Sequence, residues 1–181
     1  MHQLYEAELP LDRLVKAWTG SKRTSQDFEF GKASIEVKST GAVDASTVTI
    51  TNTRQLDDTG LEFLLLSRVV LDIRQGTFCT LPALVAQLRT AIQRTAPDVY
   101  LEFEEKLLLA CYKEEHAEYY SNKTYAERAL SFYEVITGFP RLLESDLPTG
   151  VTNAKYDLTI EACEPFNRPS EEVLAKLRDL I

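Results

Sequence analysis

Residues 25–40 (SQDFEFGKASIEVKST) constrain the fold most, because polar and apolar side chains alternate on both sides of one glycine. Residues 27–30 (DFEF) alternate acidic and aromatic side chains, and residues 35–38 (IEVK) alternate aliphatic and charged ones. Alternation of period two is typical of a strand with one buried face. The sequence therefore predicts two short strands joined by a turn at Gly31–Lys32.

The polar positions of this hairpin predict a chemistry. Alternation places Asp27 on the polar side of the first strand, and Glu36 and Lys38 on the polar side of the second. Mg²⁺ is usually held by one or two carboxylates plus water, and it can polarise a phosphoryl oxygen and activate bound water. An ammonium nearby can orient that water or offset charge building on the phosphate. Asp27 and Glu36 are the predicted metal ligands, and Lys38 completes the predicted catalytic set. The alternative is an amphipathic hairpin with a solvated charged face.

Asp27, Glu36 and Lys38 resemble the catalytic signature of the PD-(D/E)XK nuclease superfamily. Further motifs are similar to one bacterial group in that superfamily, the PD-(D/E)XK motif proteins, whose substrate is unassigned. The resemblance runs from about residue 18 to about residue 166. The motifs that carry it are AWTG at 17–20, DFEF at 27–30, EVKST at 36–40, FPRL at 139–142, DLPTGV at 146–151 and YDL at 156–158.

The resemblance implies an α/β fold with a restriction endonuclease-like core: a central mixed β-sheet flanked by helices, plus C-terminal strands and a helix. It also implies Mg²⁺ as cofactor, with Mn²⁺ as a substitute, and DNA as substrate, in restriction or in defence against foreign DNA. Other subunits of such a system are implied partners, and a homodimer is left open. The rival hypothesis is a non-catalytic subunit that keeps the fold and binds DNA ends or proteins.

Two departures from the superfamily pattern concern the site. Gln26 stands where the name of the superfamily expects proline, a residue that serves geometry rather than chemistry. The related group carries a Gly-Glu-Leu-type start on its first helix, and the Glu of that helix often joins the metal site across the superfamily. Here that Glu would precede Met1, so the printed sequence is expected to lack part of the natural N-terminus. Glu6 and Glu8 are candidate substitutes, although a solvated helix face is the stronger expectation for both.

Three further residues are candidates for binding substrate. Lys22 and Arg23 lie in a polar loop before the first strand and could contact phosphates; an ordinary basic loop is the equal alternative. Gln55 follows the Glu-x-Lys strand, and glutamines at such positions bind near the site in some nuclease branches. A turn or helix-start role for Gln55 is equally consistent with the sequence.

Length and composition set broad limits. The 181 residues are expected to form one domain, residues 1–181. Net charge is −8, which argues against a nonspecific DNA-binding protein, but residues 1–40 are neutral with six basic and six acidic residues. The acidic remainder is expected to face solvent or a protein partner.

Cysteine usage and hydropathy indicate a cytoplasmic protein. Cys79, Cys111 and Cys163 are odd in number and far apart, which favours buried, reduced thiols. The two histidines have no metal-ligand spacing, so no zinc site is expected. No secretory leader is recognisable, and the most apolar run, residues 61–73, is too short to span a membrane.

The order of elements follows from periodicity and from turn residues. The sequence predicts a helix over 2–18 that is kinked or split at Pro10, strands over 45–52, 61–73, 128–137 and 151–163, a helix capped by Thr80 that ends at Arg94, a helix over about 97–112, and a final helix over 171–180 capped by Ser170. The strand over 61–73 is the predicted central strand.

Overall fold

The predicted hairpin forms one edge of a mixed sheet in the computed structural model, which describes residues 1–22, 24–74 and 78–181. Its two strands pair antiparallel, with Phe28 opposite Ile35. Gly31 in the turn has a φ of +79°, a conformation that glycine adopts without steric cost. The hairpin is therefore confirmed.

The described strands are β1 (Phe28–Glu29), β2 (Ala33–Thr40), β3 (Thr47–Ile50), β4 (Phe63–Arg74), β5 (Cys79–Thr80), β6 (Thr124–Glu134), β7 (Tyr156–Thr159) and β8 (Asn167–Arg168). The described α-helices are α1 (His2–Glu6), α2 (Leu11–Ala17), α3 (Leu81–Thr95), α4 (Tyr100–Leu109), α5 (Ala117–Tyr120), α6 (Ile160–Cys163) and α7 (Ser170–Leu180).

The main sheet has the strand order β1-β2-β4-β6-β5, and β8 also pairs with β6. Strands β2 and β4 are parallel, while the other pairs are antiparallel. A parallel pair needs a crossover connection; here residues 41–62 cross over through β3, which leaves the main sheet and pairs with β7. This mixed, helix-flanked sheet confirms the predicted α/β fold class and is compatible with a restriction endonuclease-like core.

Alternate residues of the central strand β4 enter two different cores. Leu65 joins the core shared with α2, α3, α4 and α7, whereas Leu64 and Leu66 join the core shared with β3 and β7. Glu36 pairs in register with Leu66, so its side chain lies on the second of these faces. The candidate site is therefore at the edge where β2 borders the small β3–β7 sheet.

Several element predictions are confirmed with shifted ends. The first helix is split before α2, where Glu8 has a φ of +63° and Pro10 is the N-cap. Thr80 caps α3, since its Oγ1 accepts a hydrogen bond from the Ala83 N–H. The helix predicted over 97–112 begins with a 3₁₀ turn and ends at Leu109, before Cys111 adopts a φ of +63°.

The strand predicted over 45–52 is confirmed as the shorter β3, which pairs with β7. Two predictions about the elements were wrong. The strand over 151–163 is reduced to β7, since residues 160–163 form α6 and bury Cys163 in the second core. Ser170 is the first helical residue of α7 rather than its cap, and Pro169 occupies the cap position without a side-chain hydrogen bond.

The acidic stretch 98–118 is only partly solvated. Arg89 on α3 makes a bidentate pair with Glu104 on α4, with Nε–Oε1 and Nη2–Oε2 distances of 2.7 and 2.8 Å. Lys106 is 1% exposed, lies 2.8 Å from Glu102, and donates to the carbonyls of Val15 and Lys16 at the end of α2. Because buried charges need partners, Lys106 ties α4 to α2 rather than facing solvent.

The cysteine prediction was wrong in part. All three cysteines are free, but Cys79 and Cys111 are exposed and only Cys163 is buried. Burial raises the pKa of the Cys163 thiol to about 11, so this thiol is kept protonated. None of the helices in the described ranges combines the length and the hydrophobicity needed to cross a membrane.

Candidate active site

Asp27 immediately precedes β1, which has only two residues and therefore pairs with only part of β2. Its backbone N–H donates to the Ile35 carbonyl (3.1 Å), and its Oδ2 accepts a hydrogen bond from the Val37 N–H (2.8 Å). The carboxylate thus continues the strand pairing and satisfies an edge N–H of β2. Within the described residues Oδ1 accepts no hydrogen bond, so one oxygen of Asp27 is left for another ligand.

Glu36 is a buried carboxylate on β2. It is 2% exposed, and its Oε1 lies 2.8 Å from the Lys38 ammonium. Burial raises the pKa of Glu36 to about 7; Lys38 opposes the shift and the Asp27 charge adds to it. In the described structure its Oε2 accepts no hydrogen bond. A cation beside Asp27 and Glu36 would offset both the desolvation and the like-charge repulsion.

Lys38 links Glu36 to Gln55. The Lys38 Nζ donates to Gln55 Oε1 at 3.0 Å, and the same oxygen accepts hydrogen bonds from the Thr51 N–H (2.8 Å) and hydroxyl (3.1 Å). Gln55 sits in the 3₁₀ helix Thr53–Leu56 of the crossover between β2 and β4. The fold therefore brings Asp27, Glu36, Lys38 and Gln55 to one place, and Gln55 acts on the site through Lys38.

The loop before β1 holds Asp27 in position. The N–H groups of Thr19 and Gly20 both donate to the Asp27 carbonyl, at 2.9 and 3.0 Å. A Cβ at Gly20 would lie 2.4 Å from Asp27 Oδ1, so any other residue here would displace the carboxylate from this position. The Trp-Thr-Gly motif is visible in the sequence, but its contact with Asp27 exists only in the folded chain.

Gln26 supports the same geometry from the other side. It is buried, and its Nε2 donates to the Arg54 carbonyl at 2.8 Å, next to Gln55. This bond joins the Asp27 strand to the 3₁₀ helix that orients Lys38. The geometric role expected of a proline at this position is filled here by a side-chain amide.

The remaining candidates are not brought into the cluster. Lys22 is exposed and ends a short 3₁₀ helix after Gly20, and its side chain makes no hydrogen bond to the described residues. Arg23 lies outside the described residues. Glu6 and Glu8 are exposed, and Glu6 faces His2 at 3.5 Å, so the solvated face expected for both glutamates is confirmed.

The donor set favours a hard cation that keeps its own water. No group of three or more His, Cys, Asp or Glu side chains with metal-site geometry occurs among the described residues. Asp27 and Glu36 each keep one carboxylate oxygen without a hydrogen bond from the described residues. Mg²⁺ typically uses one or two carboxylates with several waters, whereas zinc sites need three or four protein ligands. The residues present therefore fit Mg²⁺ or Mn²⁺.

The raised pKa of Glu36 predicts a pH-dependent stability. Between pH 4.5 and about 7 the folded protein binds more protons at Glu36 than the unfolded chain does, so the free energy of unfolding falls as pH rises through this window. At 1.36 kcal/mol per pKa unit the loss is on the order of 3 kcal/mol. Urea denaturation of the metal-free protein should show this fall, and the Glu36→Gln variant should lack it. Equal pH profiles for the two proteins would contradict the buried, ionising Glu36.

A family model described as "Putative PD-(D/E)XK family member, (DUF4420)" matches residues 1–161 of the chain. The chain belongs to this DUF4420 family. The match spans every strand except β8 and contains Asp27, Glu36, Lys38 and Gln55. No curated protein and no solved structure matches the chain significantly.

DUF4420 membership confirms the resemblance seen in the sequence and identifies a PD-(D/E)XK nuclease-like protein. The part of this DUF4420 chain beyond the match contains the end of α6, a 3₁₀ turn over Glu164–Phe166, β8 and α7. Glu134 on β6 pairs with Arg168 of β8 (2.9 Å) and with Lys176 of α7 (2.8 Å). These contacts lie on the far side of β4 from β2, so they brace the sheet rather than the site.

Proposed function

We propose that this protein is a metal-dependent DNA endonuclease that hydrolyses phosphodiester bonds. One observation carries the proposal: the buried Glu36 carboxylate on β2 lies beside Lys38 and within the influence of the Asp27 charge, at the start of the paired strand β1. Burial of a carboxylate costs free energy unless opposite charge compensates it. Lys38 compensates Glu36 only in part, since the pKa of Glu36 stays raised to about 7. A role in restriction or defence, alone or with other subunits, is part of the proposal and follows from the family resemblance.

Each residue of the site has a distinct task in this proposal. Asp27 and Glu36 hold the metal through the oxygens that accept no other hydrogen bond in the described structure. Lys38 points from the same strand face as Glu36, so its ammonium can orient the attacking water or stabilise negative charge on the phosphate. Gln55 fixes the Lys38 ammonium, and Lys22 or Arg23 in the preceding loop contacts the DNA backbone.

The metal would be Mg²⁺, with Mn²⁺ able to replace it. When bound, such an ion polarises the phosphoryl oxygen and lowers the pKa of a bound water. Ligation requires Glu36 to be ionised, so metal affinity should increase as pH rises through about 7.

Cleavage assays test the proposed activity directly. Purified protein with Mg²⁺ or Mn²⁺ should nick or linearise supercoiled plasmid. Parallel reactions with linear duplex DNA, single-stranded DNA and RNA show which class of nucleic acid is cut. EDTA should stop the reaction. If the protein is folded and binds Mn²⁺ but cuts none of these substrates, the nuclease is rejected and the rival is favoured.

Metal binding should also stabilise the fold. A ligand that binds only the native state at one hundred times its Kd adds about 2.7 kcal/mol to the free energy of unfolding. For a chain of this size we expect Mn²⁺ to raise the Tm by roughly 5–10 °C. Differential scanning calorimetry at pH 8 measures this shift, and Asp27→Asn should reduce it. The same Tm with and without Mn²⁺ would argue strongly against a metal site.

The rival is a non-catalytic subunit that binds DNA ends or proteins. It is favoured by the limited donor set, since no third carboxylate joins Asp27 and Glu36 among the described residues. The acidic surface of α4 and α5 also favours the rival. The nuclease predicts both saturable Mn²⁺ binding and plasmid cleavage, whereas the rival predicts no cleavage.

A further inference from the structure

A cleft of about 410 Å³ opens beside the candidate site between three segments of the chain. It is lined by residues 24–25 in the loop before β1, residues 52–54 at the start of the 3₁₀ helix, and residues 152–153 in the loop before β7. The described residues that line it carry hydroxyl groups, amides and the Arg54 guanidinium, but none of them is Asp or Glu. We call this the acid-free cleft.

A lining of this kind is unusual for a chain with 28 acidic and 20 basic residues. Four other clefts formed by the described residues each contain at least one Asp or Glu. Carboxylates repel anions, whereas a cleft that holds one guanidinium and no carboxylate attracts them. Among these five clefts of the described structure, the acid-free cleft is therefore the best suited to a negatively charged ligand.

Hydrogen bonds join the walls of the acid-free cleft to the candidate site. Gln26, which immediately precedes Asp27, donates from Nε2 to the Arg54 carbonyl at 2.8 Å. The next residue after Arg54 is Gln55, whose Oε1 accepts a hydrogen bond from Lys38 at 3.0 Å. The turn that orients Lys38 on one side therefore forms a wall of the cleft on the other.

Two asparagines of the cleft are oriented so that their amide nitrogens remain as donors. Asn52 Oδ1 accepts from the Arg54 N–H at 3.0 Å, and Asn153 Oδ1 accepts from the Thr53 N–H at 3.2 Å. In the described part of the chain Asn52 Nδ2 has no acceptor, and Asn153 Nδ2 has only the Thr51 carbonyl at 3.5 Å. Because the N–H groups of Thr53 and Arg54 already have acceptors, side chains rather than the backbone of this turn would bind a ligand.

Arg54 supplies the positive charge of the cleft. Its side chain is 71% exposed, and its Nε lies 3.9 Å from Glu144, whose side chain is 60% exposed. An exposed ion pair at this distance contributes little, so the guanidinium can turn to another anion. Its planar fork can bind two phosphate oxygens at once. Glu144 lines a neighbouring cleft together with Glu29 and Asp57, so an anion belongs on the acid-free side of Arg54.

We infer that the acid-free cleft binds a backbone phosphate of the DNA strand, beside the phosphate that is cut. This inference rests on the proposed function. Guanidinium, amide and hydroxyl donors are the groups that contact DNA phosphates, and such contacts position the duplex without reading its sequence. Ser25 lies two residues before Asp27, a reach of about 7 Å. Since the phosphates of one strand are roughly 3.4 Å of axis apart, the contacted phosphate lies within about two or three nucleotides of the scissile one.

Salt-dependent DNA binding measures this contact without relying on cleavage. A fluorescein-labelled duplex is titrated with the Glu36→Gln protein in Mg²⁺ between about 50 and 200 mM KCl, and anisotropy gives log Kd against log salt. Each phosphate contact contributes about 0.9 to the slope. We expect Arg54→Gln to reduce the slope by about one, whereas Arg54→Lys should retain most of it because the charge remains.

Asn52→Asp tests the cleft independently of Arg54. Asp and Asn cap helices equally well, so the new carboxylate can still accept the Arg54 N–H and the fold should be kept. The amide donor, however, is replaced by a negative charge that repels a phosphate. Two like charges about 4 Å apart repel each other even in water, so Kd should rise at least about fivefold at a fixed KCl concentration.

The matched controls make the same charge changes elsewhere on the surface. Arg94→Gln lies at the exposed end of α3, and Asn122→Asp lies in the exposed turn before β6. Both should keep the slope and Kd of the Glu36→Gln protein. Arg54→Gln should also weaken the binding of two duplexes of unrelated sequence equally, because a phosphate contact carries no sequence information.

Several results would overturn the phosphate contact. An unchanged slope in Arg54→Gln would do so, as would an unchanged Kd in Asn52→Asp. Equal effects in the two controls, or no duplex binding by the Glu36→Gln protein, would also overturn it. A loss confined to one of the two duplexes would replace the phosphate contact with a contact to a base.

Plasmid cleavage by the protein with native Glu36 keeps the two proposals separate. If that protein cuts DNA while Arg54→Gln retains the full slope, the nuclease stands and the contact fails. If it does not cut DNA but the slope falls by about one in Arg54→Gln, the contact stands and the nuclease fails.

Discussion

Glu36→Gln is expected to abolish DNA cleavage while it stabilises the metal-free protein at pH 8. Gln has the shape of Glu but carries no charge, so it removes a metal ligand and also removes the cost of a buried, ionised carboxylate whose pKa is raised to about 7. Lys38 keeps its hydrogen bond to Gln55 in the variant. Plasmid cleavage and urea denaturation at pH 8 measure the two effects.

Glu29→Gln is the matched control for this experiment. Glu29 lies on β1 opposite Ser34, two residues from Asp27, and its side chain makes no hydrogen bond in the described structure. The control should cut DNA normally and show little change in stability. Asp27→Asn should resemble Glu36→Gln in activity. Retained cleavage in Glu36→Gln or Asp27→Asn would remove that residue from the site.

Lys38→Ala should reduce the cleavage rate by about 10²–10³ at saturating metal, because one preorganised electrostatic group is lost from the transition state. Mn²⁺ affinity should be unchanged or slightly higher, since a positive charge beside Glu36 disappears. Lys38→Arg should restore little, because a planar fork does not replace a compact ammonium. Single-turnover rates, together with Mn²⁺ titrations, distinguish altered chemistry from altered affinity.

Lys32→Ala and Gln55→Ala complete this comparison. Lys32 lies in the hairpin turn and pairs with Glu62 on the surface, so its loss should leave the rate unchanged. Gln55→Ala removes one hydrogen bond that positions Lys38, worth about 0.5–1.5 kcal/mol, and should slow cleavage by roughly two- to tenfold. A Lys38→Ala protein that cuts at the full rate would make Lys38 an ordinary strand residue and would favour the binding-module rival.

The sequence alone determined the local architecture around the candidate site. Alternation over 25–40 predicted the hairpin, and the apolar run over 61–73 predicted the central strand β4, because both patterns depend only on side-chain direction along a strand. The same alternation indicated that Glu36 and Lys38 share a face. The family resemblance was visible for the same reason, since its motifs are short and local.

The tertiary structure alone decided how far Glu36 is buried and which residues support it. Burial depends on β3 and β7 packing on the sheet face that carries Glu36. The sequence predicted the strand that becomes β3 but not its pairing with β7, because a strand pattern does not specify its partner. The contacts of Gln55 with Lys38, Gln26 with Arg54 and Gly20 with Asp27 join residues from separate elements. Such contacts have no local signal, since chain folding rather than sequence spacing brings their atoms together.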